Sequence, residues 1–119
     1  MRKNPEQQVH FQVAGFLKLV LRTDVFFTTF PAGGGGKLRG AFLKRMGLVP
    51  GVPDVLIVYQ GRAYWIELKS DSGQLSKTQK DTIAALNTAG SHVMICHSVE
   101  EVSYALSLWK IPTRIKKVA

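Results

Sequence analysis

The spacing of apolar residues along the chain predicts which segments are helices and which are strands. In the first segment they recur every three or four positions, as on one face of a helix; they are Val9, Val13, Phe16, Leu17 and Val20. Asn4 and Pro5 are typical of a helix N-cap and first helical position, and Gln7 would complete a capping box. The pattern therefore predicts a helix that ends near Leu21.

Capping-box sequences predict two more helices in the second half of the chain. The first begins at Ser76 and ends at Gly90, a residue typical just beyond a helix C-terminus. The second begins at Ser98 and is stopped by Pro112. Its apolar face is predicted to consist of Val102, Ala105, Leu106 and Trp109.

Short apolar segments between these helices are predicted to be strands. They are a strand over 25–30, a hairpin over 54–68 with its turn at Gln60-Gly61, and a buried strand over 93–97. A short helix over 37–46, closed by Gly47, precedes the hairpin. The order α-β-(α)-β-β-α-β-α predicts an α/β fold with a mixed central sheet and helices on both faces.

The hairpin turn places two acids opposite each other. Gly61 accepts the positive φ of a tight turn, and counting outward from it pairs Asp54 with Glu67. Cross-strand partners lie ~5 Å apart on one face, and Lys69, two residues further on, points to that face as well. Like charges in this position destabilise a sheet, so the pair is predicted to hold a cation. The alternative is an exposed hairpin end with solvated charges.

Two more polar residues are predicted to point inward. Glu6 lies on the apolar stripe of the first helix, where either the helix dipole or a role in a site explains an acid. Gln79 shares a helix face with Ile83 and Leu86, so it is expected near the end of the hairpin.

Composition limits the class of protein. The 119 residues suit a single domain, 1–119, with a basic tail from about residue 113. Lys and Arg number 16 against 8 Asp and Glu, a net charge of +8 that fits a phosphate-rich partner. No apolar run is long enough to cross a membrane, and the polar start lacks a signal peptide, so a cytoplasmic protein is expected. The single cysteine, Cys96, excludes an internal disulfide framework and a cysteine-based zinc site.

Carboxylates that lack cysteine or paired histidine neighbours suit a hard cation, Mg²⁺ or Mn²⁺. The three histidines (His10, His92 and His97) do not have a metal-ligand spacing. A basic protein with such a site suggests phosphodiester chemistry, in which Lys69 could orient or activate water or offset phosphate charge.

Basic residues outside this site are expected to bind DNA. They are Lys37, Arg39, Lys44, Arg45, Lys77 and Lys80. For the run from Lys37 to Arg45, the alternative is a solvated helix face. The run of glycines from Gly33 to Gly36 precedes it and has no assigned role.

Pro53-Asp54 followed by Glu67-Leu68-Lys69 resembles the PD-(D/E)xK nuclease signature. Together with "EQQVH", "GLVPGVPDVLIV", "WIELKS" and "LSKTQ", it makes the chain resemble a stand-alone VRR-NUC domain, the virus-type replication-repair nuclease, over nearly its whole length. The resemblance implies a restriction-endonuclease-like core whose β-hairpin carries the active site.

The resemblance also implies roles for individual residues. The implied metal ligands are Asp54, Glu67, the Leu68 backbone carbonyl and, through water, Glu6. Lys69 is the implied catalytic lysine, and Gln79 is a supporting residue. Stand-alone members resemble homodimeric enzymes of phages and bacteria that cut branched DNA, including four-way (Holliday) junctions.

Three functions are compatible with these features. The leading one is a Mg²⁺- or Mn²⁺-dependent DNA endonuclease. The alternative is a basic DNA-binding module with a nuclease-like fold and no catalysis, although binding alone gains nothing from two repelling acids. A protein directed at RNA is the third, but the sequence lacks an aromatic RNA-stacking motif.

Overall fold

The computed structural model describes residues 4–31 and 36–115. Its elements, in chain order, are α1 (Pro5–Val20), β1 (Phe26–Thr29), α2 (Gly36–Arg45), β2 (Val55–Tyr59), β3 (Arg62–Leu68), α3 (Lys77–Thr88), β4 (His92–Cys96) and α4 (Val99–Leu108). Each predicted helix and strand is present, and the predicted α/β class is confirmed. Residues 32–35, with most of the glycine run, and the last basic residues of the tail, Lys116 and Lys117, lie outside the described residues.

The sheet is mixed, as predicted, with strand order β1-β2-β3-β4. The first three strands are antiparallel and β4 runs parallel to β3. Gln60 and Gly61 both have positive φ, 50° and 77°, which matches the right-handed twist of the two strands that they join. The predicted register is confirmed from the turn to Val55, which pairs with Ile66. Asp54 and Glu67 lie one step beyond that pair.

The hydrophobic core lies between one face of the sheet and the helices α1 and α4. Its members from the sheet include Val55, Ile57, Tyr64, Ile66 and Leu68, and those from the helices include Val13, Leu17, Val20, Val102, Ala105 and Leu106. Residues alternate across a strand, so Glu67 belongs to the opposite, outer face. Gln79 of α3 donates a hydrogen bond to Glu67, which places α3 on that side. Helices therefore lie on both faces, as predicted.

The prediction that the last strand is buried is wrong. In β4 only Cys96 is fully buried, and Ile95 is 39% exposed. Within the described ranges, the strand lies at the edge of the sheet and pairs with β3 alone. A short apolar run does not reveal whether its strand is central or at an edge, because that depends on the strand order.

The helix caps agree with the sequence in part. Asn4 accepts from the Gln7 backbone N–H, but no return bond from the Gln7 side chain completes the predicted box among the described residues. Ser76 and Gln79 form a complete, reciprocal capping box. The box predicted at Ser98 is only half formed. Its Glu101 carboxylate instead accepts from the backbone N–H of His97 at 3.1 Å and contacts the ring Nδ1 of the same residue at 3.0 Å. The His97 imidazole attracts the Glu101 carboxylate. The carboxylate therefore binds the residue before the N-cap instead of the Ser98 backbone N–H.

The start of the predicted basic tail is held against α1. The backbone N–H of Arg114 donates to the Val20 carbonyl at 2.7 Å, and its Nε donates to the Leu21 carbonyl at 3.0 Å. The preceding helix α4 ends at Leu108, before Pro112, and Lys110 takes a left-handed conformation with φ 59°.

Candidate active site

Residues from four separate elements meet in one cavity at the open end of the hairpin. The cavity has a volume of about 430 Å³ and is lined by Glu6, Asp54, Glu67, Leu68, Lys69 and Gln79, among others. The structure thus brings together every residue predicted to serve catalysis or metal binding. It also places His10 and Phe11 of α1 in the wall, and Phe11 was not predicted there.

Asp54, directly before β2, is held by hydrogen bonds to the last residue of β3 and to the residue that follows β1. Its Oδ2 accepts from the Leu68 backbone N–H at 2.8 Å, and its carbonyl accepts from Phe30 N–H at 2.8 Å. Since Leu68 directly follows Glu67, the first bond directs the Asp54 carboxylate toward the second acid.

Glu67 is almost completely buried, with 2% of its side chain exposed. Its Oε2 accepts from Gln79 Nε2 at 3.3 Å and lies 3.9 Å from Lys69 Nζ. Its Oε1 is buried and has no hydrogen-bond partner among the described residues. An ionised carboxyl in such surroundings is costly. Burial, followed by the charge of the neighbouring Asp54, raises the pKa of Glu67 to about 8.

Lys69 connects β3 to the first turn of α1. Its Nζ lies 3.2 Å from Glu6 Oε1, and only 10% of its side chain is exposed. The inward orientation predicted for Glu6 therefore has a partner, in addition to the helix dipole. Three acids and a single lysine line the cavity, so it has an excess of acidic groups within a strongly basic chain.

The donor set fits a hard divalent cation that keeps part of its water shell. Among residues 4–31 and 36–115, no three His, Cys, Asp or Glu side chains are grouped closely enough to hold a metal on their own. Mg²⁺ typically binds through one or two carboxylates and retains several waters. Asp54 and Glu67 supply that pair, and Glu67 Oε1 is a buried oxygen with no donor in the part of the chain that the structure describes.

A glycine in the loop before the site allows α3 to approach. Gly51 has φ +80°, and a Cβ there would lie 2.8 Å from the Thr78 carbonyl oxygen. The hydroxyl of Thr82 donates to the Pro50 carbonyl at 2.6 Å, which fixes the same loop to α3. This packing positions Gln79 beside Glu67. Sequence reasoning missed these contacts, although Gly51 is part of the Gly-x-Pro-Asp segment.

The residues predicted to bind DNA lie outside the cavity, on two helices. The four from Lys37 to Arg45 are exposed along α2, and Lys77 and Lys80 are exposed in the first turn of α3. Lys77 forms an ion pair with Asp81 at 2.9 Å.

Comparison with known proteins identifies a family and a fold. The model of the VRR-NUC domain family matches residues 36–100, more than half of the chain. Two similar solved structures are a VRR_NUC domain protein (21% identity, 94% of this chain and 93% of that one, TM-score 0.74) and a VRR_NUC domain (14%, 88% and 97%, 0.59). No curated protein matches the chain. The resemblance inferred from the sequence motifs is confirmed.

Proposed function

The chain belongs to the VRR-NUC domain family, and we propose that it is a Mg²⁺- or Mn²⁺-dependent endonuclease that cuts DNA. The fold is that of a nuclease-type family. One observation supports catalysis above the others: the buried, unpartnered Oε1 of Glu67 beside the Asp54 carboxylate. Such an arrangement destabilises the folded chain unless a cation or a proton joins it, and a module that only binds DNA does not need it.

Each residue of the site has a separate proposed role. Asp54 and Glu67 would hold the cation, with Glu6 and the Leu68 carbonyl as further oxygen donors. When bound, a divalent cation acidifies a water molecule and balances charge on the phosphate. Gln79 keeps Glu67 in place through its 3.3 Å hydrogen bond, and Glu6 does the same for Lys69 at 3.2 Å. The ammonium of Lys69 can then donate to water or to a phosphate oxygen.

The proposed substrate is DNA, with a preference for branched structures such as four-way junctions, and the proposed assembly is a homodimer. A net charge of +8 supports a DNA partner. The preference and the assembly are supported by the family resemblance, because a two-fold symmetric pair would present two active sites to two strands. Among the described residues, no helix is long and apolar enough to span a membrane.

Cleavage of a panel of DNAs tests this proposal. Single-stranded, duplex, flap and four-way junction DNA of matched sequence would be incubated with Mg²⁺, Mn²⁺ or chelator. We expect cutting only with metal, and fastest at the junction. Binding without cutting under all these conditions would favour the alternative, a non-catalytic DNA-binding module.

The salt dependence of binding tests the basic helix α2. With ~5 phosphate contacts, log affinity should fall with log salt at roughly −0.9 per contact. Replacing any one of Lys37, Arg39, Lys44 and Arg45 by alanine should make the slope shallower by up to about 0.9. Lys18, exposed in the last turn of α1, provides the matched control. If none of the four changes differs from Lys18→Ala, α2 is only a solvated face.

A further inference from the structure

We infer that the apolar stripe of α2 and the open part of the outer sheet face, at β1, form the interface between two copies of this chain. This inference rests on the homodimer proposed above and adds the surface that forms it. Among the α2 residues from Lys37 to Arg45, only Leu43 is even half-buried. A helix of a compact domain ordinarily buries one face in its own core.

The exposed side of α2 is apolar. Leu38, Phe42 and Met46 follow one another at intervals of four residues and so lie along one stripe. They are 88%, 57% and 72% exposed. The stripe continues into Leu48 and Val49, which are 43% and 54% exposed. Helical geometry puts Lys37 and Lys44 on the side away from the stripe.

A second apolar surface lies on the outer face of the sheet. Phe26 pairs with Val58, on the face opposite the buried Ile57, and is 61% exposed. Phe30 is 36% exposed and stacks on Trp65 at a centroid distance of 5.9 Å. Helix α3 lies on the other side of this face, next to β4 and Glu67. Among the described residues, the Phe26 ring therefore stays exposed and the Phe30 ring partly exposed.

The size of these surfaces favours a second copy of the chain as the partner. From their exposed fractions, and with 150–250 Å² for an aromatic side chain, the seven apolar residues of the two surfaces present roughly 700 Å². That sum is close to the ~800 Å² that each partner contributes to a standard interface. Two apolar surfaces on the same chain allow a two-fold pair to bury both at once.

The charges of α2 agree with this arrangement. If the stripe is buried against the partner, Lys37 and Lys44 remain on the solvent side of the helix, where they can meet DNA. A membrane-surface helix would account for the stripe and the lysines. It would not account for the exposed ring of Phe26 and the partly exposed ring of Phe30 on the sheet.

Sedimentation equilibrium in chelator, without DNA, tests the interface. We expect the wild type to have the mass of two chains at micromolar concentration. Phe42→Glu and Phe26→Glu, on the two halves of the surface, should each weaken the dimer by at least roughly 100-fold, as for a central hot spot. Lys44→Glu, on the opposite side of α2, is the matched control and should remain a dimer. Thermal melts of the variants establish that each is folded.

Different outcomes overturn different statements. A monomeric wild type would remove both the dimer and its interface. A dimer that Phe42→Glu and Phe26→Glu leave intact would remove only this interface. A monomer that binds anionic phospholipid vesicles, and loses that binding in Phe42→Glu, would identify α2 as a membrane-surface helix instead. Because mass is measured without DNA or metal, a protein that does not cut DNA can still confirm or contradict the interface.

Discussion

Glu67→Gln should abolish metal-dependent cleavage, with a loss of at least roughly 1,000-fold in the single-turnover rate, the upper range for removal of one charge-stabilising group. Glutamine keeps the shape of the side chain and can still accept from Gln79. It lacks the negative charge that a divalent cation needs. DNA affinity should remain nearly unchanged, because the phosphates are held by basic residues outside the cavity. Parallel cleavage and binding assays at the same salt concentration check both expectations.

Companion variants separate the roles within the site. Asp54→Asn should behave as Glu67→Gln does. Lys69→Ala should lose turnover yet still bind Mn²⁺ in calorimetry, since the two acids remain. Glu100→Gln, an exposed acid in the first turn of α4, is the control and should cut normally. Cleavage by Glu67→Gln at the wild-type rate would show that the nuclease site lies elsewhere.

Glu67→Gln should also stabilise the protein when metal is removed. In chelator at pH 9, Glu67→Gln should melt higher than the wild type. If the substitution raises the free energy of unfolding by a few kcal/mol, the melting temperature should rise by about 10 °C. The wild type keeps a buried charge beside Asp54 under these conditions, whereas the variant keeps a neutral amide. Scanning calorimetry in EDTA measures the difference.

The pH dependence identifies the group responsible. The pKa of Glu67 is about 8 in the folded chain, against a usual 4.5. The folded state therefore holds an extra proton between these values, and wild-type stability falls as pH rises from about 4.5 to about 8. Glu67→Gln should not show this fall, so its advantage should vanish near pH 4.5 and level off above pH 8. An advantage that is independent of pH would come from packing instead of charge.

Metal should reverse the order of the two proteins. Mg²⁺ or Mn²⁺ binds the folded wild type and should raise its melting temperature, while Glu67→Gln should gain much less. Asp54→Asn should show the same pair of effects, higher melting in chelator and little response to metal. If either variant gains as much from metal as the wild type, the two acids do not share a cation.

Local rules were sufficient to predict the centre of the site. The Gln60-Gly61 turn fixes the register, and alternation then carries Asp54, Glu67 and Lys69 to one end of the hairpin. These steps span few residues and depend on backbone geometry alone. For the same reason the capping box at Ser76 and the inward position of Gln79 could be read from the sequence.

Other features depend on how distant elements pack. The contact between Glu6 and Lys69 requires the first turn of α1 to lie beside the end of β3. The spacing of residues along the sequence does not predict how these two distant elements pack. The exposure of Ile95 follows from the position of β4 at the edge of the sheet. The exposed stripe of α2 follows the expected helical period, but only the structure shows that its own domain leaves it uncovered.

The central claim is that Asp54 and Glu67 share a divalent cation. Anomalous diffraction from crystals soaked in Mn²⁺ tests it most directly. We expect an anomalous peak at bonding distance from both carboxylates in the wild type, and no peak there in Glu67→Gln crystals treated in the same way. A wild-type crystal that binds Mn²⁺ elsewhere, with no peak between these two residues, would contradict the claim.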